Sequence, residues 1–72
     1  MMEMFPVASS RISEMGYEVD TATVYVRFTK DGKAWEYRNV PPDVWDQFVA
    51  APSKGGFIHQ VLDRYAHGHA AI

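Results

Sequence analysis

Residues 24–38, VYVRFTKDGKAWEYR, alternate apolar and polar side chains on both sides of Lys-Asp-Gly, the pattern of two antiparallel strands joined by a tight turn. A one-residue slip in pairing sends every side chain to the opposite face, so the turn decides what this sheet can bury. A three-residue loop of Lys30, Asp31 and Gly32 sets Val26 against Glu36 and puts a carboxylate among core residues. A two-residue Asp31-Gly32 turn sets Phe28 against Trp35, Arg27 against Glu36 and Val26 against Tyr37, and this is the register the sequence predicts. One face then carries Val24, Val26, Phe28, Trp35 and Tyr37. The other carries Tyr25, Arg27, Thr29, Ala34, Glu36 and Arg38.

The apolar face needs a cover, and the following residues supply it. In NVPPDVWDQFVAAP, prolines mark a helix start, Asp43 and Asp46 suit the positive end of the dipole, and Val44, Trp45, Phe48 and Val49 recur at helical spacing. Pro52 ends that helix and Ser53 caps a second, in which Phe57, Ile58, Val61, Leu62 and Tyr65 form an apolar stripe. His59, Gln60, Asp63 and Arg64 face outward. Ahead of the hairpin, Arg11–Glu18 reads as a further strand, weakened by Gly16. The predicted class is α+β: a three-stranded antiparallel meander with two C-terminal helices on one face. Residues 1–10 read as a flexible arm, 11–66 as a single domain and 67–72 as a flexible tail.

Composition narrows the function classes. A chain of 72 residues, 47% hydrophobic, has few apolar side chains to spare for a buried catalytic pocket. With no cysteine there is no disulfide, no thiolate metal site and no cysteine nucleophile. The start MMEMFPVASS lacks the basic and apolar regions of a signal peptide, and no apolar run is long enough for a bilayer, so the expected location is the cytoplasm. Net charge is −2, the opposite of a strongly basic nucleic-acid binder.

Four segments, SSRI at 9–12, GYE at 16–18, WEYRNVP at 35–41 and APSKGGF at 51–57, together resemble the KTSC domain, a module named for its place at the C-terminus of some lysyl-tRNA synthetases. The likeness covers roughly residues 9–65. Its central aromatic-x-aromatic motif, usually tyrosine at both ends, maps onto Trp35 and Tyr37, so this chain departs at the first position. Similar members stand alone as small proteins in bacteria and phages. The resemblance implies no established activity, and RNA binding enters through the synthetase connection.

Two surfaces are candidate sites. The hairpin segment 24–38 is +2 and the remainder is −4. Tyr25, Arg27, Lys30, Lys33 and Arg38 form a patch for a protein partner or for RNA, with a base stacked on Tyr25 and cations holding phosphates. Alternatively, Arg27 pairs with Glu36 and the face is merely solvated. Ser53, Lys54, Gly55 and Gly56 open the second helix, where bare backbone admits an anion or else lets the helix pack closely. Trp35 and Tyr37 read as core. His67 and His69 read as a solvated pair with no third metal ligand. No base stands beside a nucleophile, so no enzyme, cofactor, metal or small-molecule substrate is expected. A protein-interaction module acting on transcription or translation machinery is the favoured function, with RNA binding the alternative and no membrane partner.

Overall fold

The computed structural model describes residues 3–72. Strands β1 (Met4–Pro6), β2 (Ile12–Glu18), β3 (Thr23–Phe28), β4 (Ala34–Tyr37) and β5 (His67–Ala70) form one antiparallel sheet in chain order. Helices α1 (Pro42–Ala50) and α2 (Lys54–Gln60), followed by a one-turn 3-10 helix at Leu62–Arg64, lie between β4 and β5. The domain is α+β as expected, but the sheet has five strands instead of three. The end segments read as an arm and a tail pair onto the meander as its outer strands. After the helices, the chain returns to the sheet.

The hairpin register also differs from the predicted one. Val26 lies opposite Trp35 and Val24 opposite Tyr37, two residues away from the expected pairing. The loop takes four residues, Thr29 to Gly32, closed by Phe28 N–H to Lys33 O and Gly32 N–H to Phe28 O, each 3.0 Å. Gly32 supplies the left-handed backbone (φ 70°), and Asp31 Oδ1 accepts the Lys33 N–H at 3.0 Å. A shift of two preserves the face of every side chain. Val24, Val26 and Tyr37 are accordingly buried on the helix side.

On β2 the periodicity is broken deliberately. Ile12 pairs with Phe28 but Glu14 with Arg27, so Ser13 is an inserted bulge residue. The bulge lets Ile12 and Met15, three apart, both enter the core. The helices close that core with Phe48, Ile58 and Leu62. Phe48 is stacked on Phe57, with ring centroids 5.3 Å apart, and meets Trp45 edge-on at 5.9 Å. Trp45 in turn stacks on Tyr17 (5.3 Å) and meets Phe5 at 6.0 Å. Val49, predicted in the apolar stripe, is instead exposed, because α1 turns only one side toward the sheet. No helix among the described residues is long and apolar enough to cross a membrane.

Candidate functional site

Trp45 carries α1 toward β1 and β2, and the helix-side face of β4 and β5 is left lining an open groove of about 800 Å³. Its floor is half-buried Trp35, with Phe28 and Tyr37 beside it. One wall is α2 and the 3-10 turn, through Gly55, Ile58, His59 and Asp63; the other is the hairpin tip. His69 packs on Trp35 with ring centroids 4.2 Å apart, and His67 lies 5.2 Å from Tyr37. The Nδ1 of His67 is 2.6 Å from the Tyr65 carbonyl oxygen. A carbonyl only accepts, so Nδ1 carries the hydrogen there and Nε2 is left as acceptor in the neutral ring.

Arg11, Lys30 and Lys33 rim this groove. Among the described residues none of them makes an ion pair. Asp31 is engaged by the loop backbone, and Asp63 faces His59 at 3.7 Å. The result is an aromatic floor beneath a rim of three cations and two carboxylates. Among the described residues no three His, Asp or Glu side chains gather to hold a metal ion.

The five predicted hairpin residues therefore separate. Lys30 and Lys33 belong to the groove. Arg27 and Arg38 lie on the opposite, outer face, and both are engaged: Arg27 Nε to Glu14 Oε1 at 2.9 Å, Arg27 Nη1 to the Gly32 carbonyl at 2.8 Å, and Arg38 Nη1 to Glu36 Oε2 at 2.7 Å. Glu14, not Glu36, is the partner of Arg27, because the four-residue loop places Tyr25 opposite Glu36. Burial first, then Glu36 and Glu18, push the Tyr25 phenol up. A base stacked there meets Glu36 and Glu18, while the cations of that face, Arg27 and Arg38, already hold carboxylates.

The glycine-rich helix start spends the Ser53 and Lys54 side chains on its own fold. Ser53 Oγ accepts the Gly56 N–H at 3.1 Å, and Lys54 Nζ donates to the Val49 and Ala51 carbonyls at 2.9 and 2.6 Å, closing the end of α1. A Cβ on Gly55 would stand 3.0 Å from Arg11 Cγ, and one on Gly56 2.9 Å from Ser53 Oγ. Gly56→Ala is therefore expected to cost about 1 kcal/mol through the displaced cap, despite alanine's higher helix propensity. Urea denaturation measures it, and the cost should shrink in a Ser53→Ala background, where no cap remains to displace.

Tyr37 gives the groove floor an alkaline limit. Burial, with a smaller contribution from Asp63, pushes its phenol from 10.0 up to about 12. The folded state thus holds the proton more tightly than the unfolded chain. This stabilisation is complete below pH 10 and is lost as pH rises toward 12, amounting to no more than about 2 kcal/mol. Denaturation midpoints across that range, compared with Tyr37→Phe, isolate it.

Sequence reasoning missed Arg11, His67 and His69 as site residues. The available signal was the pair of alternating motifs, Trp35-x-Tyr37 and His67-x-His69, which become cross-strand neighbours once residues 67–70 are seen as a strand. Three of the four segments that carried the resemblance, at 9–12, 35–41 and 51–57, also meet at this groove through Ser10, Arg11, Trp35, Tyr37 and Gly55.

The KTSC domain family model matches residues 8–65. A curated protein of Tsukamurella paurometabola is 39% identical over 59 residues, spanning 82% of this chain and 87% of that protein. The crystal structure of a KTSC domain protein from Yersinia pestis superposes with a TM-score of 0.91 at 30% identity, covering 99% of this chain and 100% of the other.

Proposed function

The chain belongs to the KTSC domain family, and from that footing we propose that it is a non-catalytic protein-interaction module, a small adaptor that docks on a larger machine through the Trp35 groove. Transcription or translation complexes are the class of machine this reading names. The observation that carries it is half-buried Trp35 beneath the unpaired rim of Arg11, Lys30 and Lys33. A half-buried tryptophan is the residue type that anchors an interface centre, arginine is enriched there too, and the lysines suit its polar rim. The outer face supports docking less well, since its guanidinium groups already hold carboxylates.

RNA is the second reading, favoured by the adjoining Trp35 and His69 rings, 4.2 Å apart and tilted by 41°, beside cations without ion pairs. Salt separates the two, because releasing condensed counterions makes nucleic-acid binding fall steeply with ionic strength. For protein docking, Lys30→Gln with Lys33→Gln should weaken binding several-fold, while Arg27→Gln with Arg38→Gln leaves it unchanged. Calorimetry against the isolated partner measures both. Equal losses in the two pairs would remove the groove from the account.

A further inference from the structure

The two edges of the sheet differ in what they offer a new strand. In an antiparallel ladder, bonded and non-bonded residue pairs alternate. The Arg38 N–H donates to the Ala66 carbonyl at 2.8 Å, one step beyond the Tyr37–His67 pair. Glu36–Gly68 and Ala34–Ala70 are then the bonded pairs, and the backbone N–H and C=O groups of His67 and His69 point away from β4. The other side of β4 agrees. Phe28 bonds Lys33, so Trp35 and Tyr37 spend their backbone groups on β3. Among the described residues nothing pairs with the outer edge of β5.

The β1 edge is closed by comparison. The Val7 N–H donates to the Ser13 carbonyl, so Phe5 is a bonded residue and Met4 and Pro6 face outward. Pro6 has no N–H to give, and β1 is three residues long. β5 has neither proline, nor bulge, nor lysine. The sheet face opposite its histidines is open as well, with nothing within 4 Å of where a Cβ on Gly68 would stand.

Resting on the docking reading above, we propose that the partner supplies an extended acidic segment that pairs with β5 as a sixth strand. Alternate side chains of that strand fall beside His67 and His69 on the groove side, near Lys33, which shares the groove-side face with Trp35, makes no ion pair and is complemented by a carboxylate. A second copy of this chain fits less well, because its own β5 carries no carboxylate to set beside Lys33.

The experiment selects peptides from a random displayed library on the full chain, then tests the strongest binder by calorimetry and amide chemical shifts. Enrichment of peptides with acidic residues at alternate positions is expected, with shifts centred on residues 67–70. His69→Pro removes a single N–H that β4 does not use, and should weaken binding roughly tenfold or more. His69→Ala separates that effect from loss of the imidazole. Because a β5 variant can misfold, the peptide is also N-methylated at alternate amides: the set facing β5 should abolish binding and the other set should not. Binders that tolerate either methylation overturn strand addition while leaving groove docking intact. Failure to enrich any peptide overturns strand addition, and capture of random single-stranded RNA instead overturns the docking reading itself. A dimer that His69→Pro dissolves assigns the edge to a second copy and also overturns the proposal.

Discussion

Trp35→Ala is expected to weaken partner binding by about 2 to 4 kcal/mol, roughly thirtyfold to a thousandfold, while the domain stays folded. Trp35 lies at the groove floor, half-buried, with the His69 ring 4.2 Å from its own. A large ring that is already held in place loses little entropy on binding, yet offers wide apolar area to a partner. Truncation removes that area and leaves the rim cations around a void. Because the ring lies at the margin of the core, the stability loss should be about 1 to 2 kcal/mol, visible in denaturation but short of unfolding. Trp35→Tyr, which restores the aromatic pair usual in the KTSC domain, should retain most of the affinity.

Phe48→Ala should have the largest effect on the fold. Phe48 is fully buried where α1 meets α2, stacked on Phe57 and edge-on to Trp45, and no other residue of α1 reaches the centre of the core. Deleting a buried phenyl ring costs about 3 to 5 kcal/mol, through lost transfer energy and the cavity left behind. A chain of this length has a total of roughly 4 to 11 kcal/mol to lose. The variant should therefore lose a large share of its stability and, at the low end of that range, lie near its unfolding midpoint at room temperature. Phe48→Leu, which keeps most of the volume, should cost far less. A Phe48→Ala domain as stable as the parent would mean that the helices do not rely on this contact.

What was legible in the sequence follows from which signals survive error. The buried face of the hairpin was readable because its parity depends only on alternation, and a two-residue shift in register leaves parity intact. The register itself was not readable, since Asp31-Gly32 suits both a two-residue turn and the end of a four-residue loop. β1 and β5 escaped because strands of three and four residues containing Pro6 or Gly68 carry too little periodicity to read alone and form only by pairing with the meander. The helices were legible from proline, the Ser53 cap and the spacing of Phe48, Ile58 and Leu62. Of the predicted patch, Lys30 and Lys33 reach the groove, whereas Arg27 and Arg38 are drawn to Glu14 and Glu36. Arg11, His67 and His69 joined the site only through tertiary structure, which sets the histidines against Trp35 and Arg11 against Gly55.

The most direct measurement is affinity capture from nuclease-treated lysate with three baits: the parent chain, Trp35→Ala, and Arg27→Gln with Arg38→Gln. Docking through the groove predicts a defined protein that persists after nuclease, remains with the outer-face variant and disappears with Trp35→Ala. A protein retained equally by Trp35→Ala, or recovery that vanishes with nuclease, would contradict it.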